Sequence, residues 1–226
     1  MSYALILGGL GFGLIYVGLT QLPGGVLLLW LGLSFLVVAA GYAGIGPRVL
    51  GKRKDGTVHP LSGTILIPYR LLLEGLWQLQ CRLTKEPAAH EIVPGLWLGR
   101  RPGPQDLPPG VALLVDLTVE FPRACRGVSG CDYLALPCLD AAAPEWRSFR
   151  AAVRKIAANP GPVYVHCALG HGRSATVVAA VLIARGHAAD PSEAEARVLS
   201  IRAGVGLNAG QRALLRRFCA EGTDVG

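Results

Sequence analysis

A cysteine followed six residues later by an arginine and a serine is the part of this sequence best suited to chemistry. It lies in the run His166-Cys167-Ala168-Leu169-Gly170-His171-Gly172-Arg173-Ser174, and none of the other five cysteines has an arginine at that spacing. A thiolate is a strong nucleophile, and a guanidinium can bind two oxygens of a phosphate in a fork. The backbone N–H groups of residues 168–172 can surround the other oxygens. The run therefore predicts a nucleophile within an anion-binding loop.

This loop lies between a strand-like run and a helix-like run. Residues 162–165 have the composition of a β-strand, and residues 175–185 have that of a helix. The first N–H groups of a helix and the positive end of its dipole stabilise an anion, so they favour the thiolate form of Cys167. A structural cysteine beside a glycine-rich turn is the alternative, but it does not explain the strand–loop–helix context.

From Ile92 onward, short β-rich runs alternate with helical runs. Predicted strands cover residues 92–98, 111–117, 133–137 and 163–165, and predicted helices cover 144–159 and 175–185. Two further helices begin near Asp190 and Asn208, whose side chains can cap them. The alternation predicts an α/β fold with a central mixed or parallel sheet flanked by helices. The Cys167 loop would lie at the carboxyl end of its strand, where such sheets bind ligands.

These features resemble the cysteine-dependent protein tyrosine phosphatase superfamily, and specifically its dual-specificity branch. The resemblance covers about residues 91 to 219. It implies that Cys167 attacks phosphorus to form a cysteinyl-phosphate, which water then hydrolyses, while Arg173 and residues 168–172 bind the phosphate. It also implies that Ser174 hydrogen-bonds the sulfur and that His166 orients the thiolate. A histidine that merely packs in the core is the alternative for His166.

The resemblance also implies a general acid upstream of the loop. In that family an aspartate on a mobile loop, ahead of the helix that precedes the nucleophile strand, protonates the leaving oxygen. Asp140 matches this position, because it follows the predicted strand 133–137, precedes the predicted helix 144–159 and lies 27 residues before Cys167.

Three other carboxylates lie in the same part of the sequence. Asp132 stands at a strand start, and Glu145 lies in the first turn of a helix, where a carboxylate complements the helix dipole. Asp116 ends a buried strand, and we expect it to hydrogen-bond the backbone or an arginine. Asp140 is therefore the predicted acid, with Asp132 and Glu145 as rivals.

The first 47 residues contain no Asp, Glu, Lys or Arg, although the whole chain has 37 such residues and a net charge of +7. Residues 3–20 and 26–43 are apolar runs separated by a turn-prone segment, and each would span about 27 Å as a helix. They predict a transmembrane helical hairpin as a first domain, 1–47. The run lacks the basic start of a signal peptide. A buried hairpin of a soluble protein stays open as the alternative.

Charge and cysteine usage suggest how this hairpin is oriented. Arg48, Lys52, Arg53 and Lys54 follow the second run, and no Lys or Arg precedes it. The positive-inside rule therefore predicts a two-span membrane protein with both termini and the catalytic domain in the cytoplasm. Six irregularly spaced cysteines fit that reducing compartment. The spacing of Gly9 and Gly13 would permit a homodimer through the helices.

The remaining sequence divides into a linker region, 48–88, and a catalytic domain, 89–226. Residues 65–79 are apolar but contain Pro68, Arg70 and Glu74, which argue against a third span. An interfacial helix on the membrane and a helix docked on the catalytic domain remain equally compatible with the pattern.

We expect a membrane-anchored phosphatase whose partners are a phosphorylated protein or, alternatively, a phospholipid monoester such as phosphatidylglycerophosphate. The loop contains no lysine, which argues against polyphosphorylated headgroups. The net charge fits an anionic inner leaflet better than nucleic acid, because no basic patch is interleaved with aromatic residues. No metal or cofactor is implied, since the other cysteines and histidines lack ligand spacing. A non-catalytic phosphate-binding module and a sulfur-transfer or arsenate-reducing enzyme are the alternatives from other classes.

Overall fold

The computed structural model describes residues 2–103, 105–125 and 130–221. The chain divides into two compact units. One contains the residues up to Lys85 together with Val119–Pro122, and the other contains Glu86–Thr118 and the residues from Arg123 onward. The limits at residues 47 and 88 that the sequence suggests stay predictions.

The N-terminal unit begins with two long apolar helices. Helix α1 spans Ser2–Thr20 and α2 spans Val26–Ala40, after which the chain continues in wider π-helical turns over Gly41–Ile45. Tyr3–Thr20 and Val26–Ile45 are long and apolar enough to cross a membrane. Their positions agree with the two predicted apolar runs.

Four glycines at seven-residue spacing allow α1 and α2 to pack closely: Gly11, Gly18, Gly25 and Gly32. A Cβ atom on Gly32 would lie 2.8 Å from the carbonyl oxygen of Gly11, so neither helix tolerates a larger residue at this contact without moving. Gly9 and Gly13, the pair noticed in the sequence, have no atom of the described residues within 4 Å of such a Cβ. The close approach within the hairpin therefore depends on a different set of glycines.

After Ile45 the chain turns back along α2. It forms a short 3-10 turn (Pro47–Leu50), helix α3 (Pro60–Ile65) and helix α4 (Ile67–Leu83), all three of which contact α2. The helix expected over residues 65–79 is thus broken at Leu66, and its main part begins at Ile67. Pro68 explains the break, because it lacks the N–H that would bond the carbonyl of Thr64.

The second compact unit, called the catalytic unit below because it contains the predicted nucleophile Cys167, is built on a five-stranded sheet. Its strands are β1 (Ala89–Val93), β2 (Leu96–Gly99), β3 (Leu113–Thr118), β4 (Asp132–Cys138) and β5 (Val163–His166). Their order is β1-β2-β5-β3-β4, with β1 antiparallel to β2 and all other neighbours parallel. The predicted central mixed sheet is confirmed, and β5 is its middle strand.

The prediction of a single strand over residues 92–98 was wrong, because this segment is a hairpin of β1 and β2. Pro94 and Gly95 form the turn, and Val93 pairs with Leu96 across it. Proline cannot donate to a strand ladder, and Gly95 has a φ of +78°, which favours glycine.

Four helices complete the catalytic unit: α5 (Trp146–Ala157), α6 (Arg173–Ala184), α7 (Pro191–Ile201) and α8 (Ala209–Ala220). Helix α6 contacts the other three helices as well as β2 and β5, and its residues from Arg173 to Ile183 are all buried. Val163 and Val165 of β5 belong to the main core, whereas Tyr164 belongs to a smaller cluster, as the alternation of a strand requires. The loop between β5 and α6 is therefore fixed at both ends by core elements.

Candidate active site

The Cys167 thiol directly follows the central strand β5 and lies in an environment that favours its anion. Only 4% of Cys167 is exposed, and its Sγ accepts hydrogen bonds from the N–H of Gly170 (3.2 Å) and the hydroxyl of Ser174 (3.3 Å). Burial by itself would raise the pKa of this thiol. The positive charge of Arg173 and the hydrogen bonds from Ser174 and Gly170 outweigh burial and lower the pKa below its usual value.

The loop after Cys167 bonds its carbonyl groups to partners outside itself. The carbonyl of Ala168 accepts from the N–H of Arg101 (3.1 Å), and those of Leu169 and Gly170 accept from the Arg202 side chain (2.9 and 3.1 Å). Gly170 has a φ of +80°, a conformation that L side chains rarely adopt. A loop whose carbonyls bond to partners outside it can turn its backbone N–H groups towards an anion, as in other phosphate-binding loops.

Arg202 and Glu86 support the loop, and the sequence analysis identified neither. Arg202 is 1% exposed, and its guanidinium lies 2.7 Å from the carboxylate of Glu86. The same carboxylate lies 2.6 Å from Nε2 of the loop residue His171. Because Glu86 begins the catalytic unit and Arg202 follows α7, no local pattern connects them, and only the fold brings them together.

The structure brings the predicted clamp and the predicted acid together. Arg173 is the first residue of α6, is 1% exposed and donates to the carbonyl of Cys138 (2.9 Å). Its other terminal nitrogen lies 3.0 Å from Oδ1 of Asp140, whose side chain is 70% exposed. A carboxylate and a phosphate oxygen are both acceptors for a guanidinium. A bound phosphate would therefore compete with Asp140 for Arg173.

The start of helix α8 holds the segment after Asp140. Ala141 has a φ of +55°, and its carbonyl accepts from the side chain of Asn208 (2.7 Å). The carbonyl of Ala142 accepts from the amide of Gln211 (3.2 Å). Asn208 and Gln211 also form the capping box of α8, and a capping role was predicted for Asn208 from the sequence. Nothing in the sequence indicated their contact with the residues that follow Asp140.

The rival carboxylates have other roles or positions. Glu145 accepts hydrogen bonds from the N–H groups of Arg147 and Ser148 at the start of α5, and these bonds lower its pKa. Asp132 begins β4, whereas the Cys167 loop follows the end of the parallel strand β5. Neither of the two rivals is therefore placed to protonate a group bound at Cys167.

His166 contacts the backbone of the nucleophile. Its Nδ1 lies 3.2 Å from the carbonyl oxygen of Cys167, and its Nε2 lies 3.8 Å from the buried carboxylate of Asp116. Asp116 accepts from the N–H of Thr118 (2.8 Å) and from the hydroxyl of Tyr133 (2.9 Å), which agrees with its expected bond to the backbone. His166 can thus orient the strand end that carries Cys167.

A cavity lies at the start of β5, at the opposite end of the strand from Cys167. It has a volume of about 760 Å³ and is lined by residues 94–95, 157–162 and 184–187 apart from Gly186. It contains none of the predicted site residues. Within the described part of the chain, no group of three or more His, Cys, Asp or Glu residues could hold a metal ion.

Comparison with known proteins identifies a matching family. The family described as Swiss Army Knife protein, DSP-PTPase phosphatase domain, matches residues 106–219, which is 114 of the 226 residues. That range contains Asp140, Cys167, Arg173 and Ser174. Among curated proteins, none matches the chain.

Solved phosphatase structures are similar to the catalytic unit. PTPMT1 in complex with PI(5)P has 26% identity and a TM-score of 0.53, over 59% of this chain and 96% of that chain. Tk-PTP in the active form has 25% identity and a TM-score of 0.53, over 59% and 97%. A human tyrosine phosphatase-like serine/threonine/tyrosine-interacting protein has 23% identity and a TM-score of 0.52, over 60% and 98%, and this likeness shows the fold alone.

Proposed function

Because the chain belongs to the family of Swiss Army Knife proteins with a DSP-PTPase phosphatase domain, we propose that it hydrolyses phosphate monoesters through a cysteinyl-phosphate on Cys167. It is a cysteine-based enzyme of the protein tyrosine and dual-specificity phosphatase type. The observation that carries the mechanism is the surroundings of the buried Cys167 Sγ, which accepts hydrogen bonds from Gly170 and Ser174 and lies in the field of Arg173. These groups lower the pKa of the thiol.

In the first chemical step the thiolate of Cys167 attacks phosphorus. The S–P bond forms while the bond to the leaving oxygen breaks, and the carboxylic acid of Asp140 gives its proton to that oxygen. Arg173 and the loop N–H groups stabilise the charge on the other phosphate oxygens. Asp140 must first leave Arg173, and its exposed side chain allows this movement.

In the second step water attacks the phosphorus of the cysteinyl-phosphate. The carboxylate of Asp140 takes the proton from this water, the S–P bond breaks, and the thiolate of Cys167 is restored. The Ser174 hydroxyl, 3.3 Å from Sγ, donates to the sulfur as negative charge returns to it. Phosphate then leaves, and Asp140 is protonated for the next turnover.

The first substrate candidate is a phosphorylated protein, as expected of a dual-specificity phosphatase. A phospholipid monoester is the second, and the similarity to PTPMT1, which was solved in complex with PI(5)P, favours it. The loop lacks lysine, and its one histidine, His171, contacts the carboxylate of Glu86. Such a loop suits a single phosphate better than a headgroup with several phosphates.

The proposed location is a membrane, with α1 and α2 as spans and both termini in the cytoplasm. Two helices of sufficient length and apolar character support the anchor, and the basic residues between Arg48 and Lys54 support this orientation. The net charge of +7 suits an anionic inner leaflet. The open face at Gly9 and Gly13 leaves room for a homodimer through α1.

A direct assay tests the proposed chemistry. The purified full-length chain should release nitrophenol from para-nitrophenyl phosphate, and vanadate should inhibit this turnover. Cys167→Ser should abolish it, while Cys219→Ser in α8 should leave it unchanged and so serve as the matched thiol control. Turnover that survives in Cys167→Ser would contradict the mechanism.

A second assay distinguishes the substrates. The enzyme is offered phosphotyrosine and phosphothreonine peptides and, in mixed micelles, a phosphatidylglycerophosphate-type lipid. A clear preference in kcat/KM for the peptides supports the first candidate, and the opposite preference supports the second.

A further inference from the structure

The N-terminal unit contains a hydrogen-bonded junction between α2 and the break that separates α3 from α4. The carbonyl oxygen of Ile65, the last residue of α3, accepts from the indole Nε1 of Trp30 (3.0 Å) and from the hydroxyl of Ser34 (2.6 Å). Both donors lie on the charge-free helix α2, and Ser34 is completely buried. Polar side chains of this apolar helix are therefore used to satisfy a carbonyl of a later segment.

Apolar contacts extend this junction. Leu66, at the break itself, is completely buried, and the rings of Phe35 on α2 and Tyr69 on α4 pack edge to face with centroids 5.6 Å apart. Farther along the chain, Arg70 donates to the carbonyl of Leu50 (2.7 Å). A helix break in an apolar layer is tolerated when its polar backbone groups find partners, and this break has them.

Helix α4 presents an exposed leucine face. Leu72, Leu76, Leu79 and Leu83 recur at helical spacing, and they are 43%, 49%, 53% and 75% exposed. Four charged or amide side chains occupy a different side of the same helix at four-residue spacing: Arg70, Glu74, Gln78 and Arg82. The helix has two exceptions to this division, because Leu71, which is 68% exposed, lies among these polar residues and Gln80 lies beside the leucine face. At 100° per residue the two rows are separated by about 150° around the helix axis. An apolar row of this kind against a polar row is the pattern of helices that lie in a membrane interface.

We infer that α4 is a third membrane-contacting helix, whose face of Leu72, Leu76, Leu79 and Leu83 lies on lipid while the Trp30–Ser34–Ile65 junction holds it to α2. The inference rests on the proposed membrane anchor and adds a lipid surface to it. Lipid is the occupant that fits the rest of this compact unit, because α1 and α2, the proposed spans, also expose large apolar side chains, including Leu5, Phe12 and Leu27. Arg82 and Lys85, at and just beyond the end of α4, supply the positive charge that an anionic headgroup layer attracts.

Spin labels in the full-length chain, reconstituted into liposomes that contain anionic lipid, test this inference. Cysteines replace Leu76 and Leu79 on the leucine face, or Glu74 and Gln78 on the polar face, in a background without the native cysteines. We expect the Leu76 and Leu79 labels to be accessible to oxygen and protected from water-soluble nickel complex. The labels at Glu74 and Gln78 should show the reverse.

Two outcomes would overturn the inference. Nickel access at Leu76 and Leu79 would place the leucine face in water, and protection from both reagents would mean that protein covers it. Labels at Leu5 and Leu27 report the hairpin separately, so nickel access there would overturn the anchor itself together with this inference. The proposed chemistry is tested separately from the spin labels, by turnover of para-nitrophenyl phosphate on the chain with its native cysteines. Failure of that assay would contradict the chemistry and leave the inference about α4 standing.

The junction has its own test. Ser34→Ala leaves the carbonyl of Ile65 with one donor fewer and adds no bulk to the interface. The test combines Ser34→Ala with Trp30→Phe. In this double variant we expect the labels at Leu76 and Gln78 to differ less in their access to oxygen and nickel complex, and we expect both labels to become more mobile. Unchanged contrast and mobility would show that the junction does not hold α4.

Discussion

Asp140→Asn separates two roles of one carboxylate, the general acid and the present partner of Arg173. The substitution keeps the size of the side chain but removes its proton chemistry and its charge. A positioned general acid contributes about 10²–10⁴-fold to rate, so kcat on an ester with a poor leaving group should fall within that range. On an ester whose leaving group needs no protonation, the loss should be much smaller.

The same substitution should strengthen anion binding while it lowers kcat. Asp140 lies 3.0 Å from Arg173, but its side chain is 70% exposed. An ion pair with one partner so exposed contributes about 0–1 kcal/mol, so its removal should tighten vanadate binding by at most about fivefold. A variant that turns over slowly but binds vanadate as well as or better than the wild type is therefore expected.

The assay compares kcat across aryl phosphates of increasing leaving-group pKa and measures vanadate inhibition in the same buffers. Asp132→Asn and Glu145→Gln are the matched controls, and both should retain wild-type kcat on the poor leaving group. Wild-type activity of Asp140→Asn on that ester, or a large loss in either control, would refute the assignment.

Three further substitutions test the surroundings of the site. Ser174→Ala removes a hydrogen bond that lowers the pKa of Cys167. The acid limb of the kcat/KM profile and the pH profile of alkylation by iodoacetate should therefore both move to higher pH. Profiles that do not move would contradict this role of Ser174. Arg202→Met leaves the carbonyls of Leu169 and Gly170 without their buried donor. An unmet buried acceptor costs about 1–3 kcal/mol, so urea unfolding should show a loss of about 2–6 kcal/mol in the free energy of unfolding. A loss below about 1 kcal/mol would contradict this supporting role. Glu145→Ala removes the cap of α5, so the free energy of unfolding should fall by less than about 1 kcal/mol while kcat stays unchanged. In the wild type, the stability that this cap contributes should be lost as pH falls through the lowered pKa of Glu145.

The parts of the site that lie in one loop could be predicted from the sequence, because strand, loop and helix follow each other without interruption. The positions of Cys167, Arg173 and Ser174 are of this kind. The prediction of Asp140 depended on the family resemblance together with its place between predicted elements. The packing of Glu86 and Arg202 behind the loop could not be predicted, because each residue lies far along the chain from the groups it bonds. The same reason hid the bond from Asn208 to Ala141.

The fold shows the same division. Alternating β-rich and helical runs predicted the central sheet and its order of elements along the chain. The β1–β2 hairpin was missed although Pro94 and Gly95 mark a turn, since the apolar residues on both sides were read as one run. The break at Leu66 was likewise marked by Pro68, but the bonds from Trp30 and Ser34 that stabilise it are long-range.

The central claim is that phosphate is transferred to Cys167 before it reaches water. Rapid acid quench of the enzyme during turnover, followed by digestion and mass spectrometry, tests this most directly. The account predicts a phosphoryl group on the peptide that contains Cys167. In a variant that hydrolyses the cysteinyl-phosphate slowly, such as Ser174→Ala, the amount should approach one phosphoryl group per enzyme molecule. Steady turnover with no phosphorylated Cys167 peptide, or with the phosphoryl group on another residue, would contradict it.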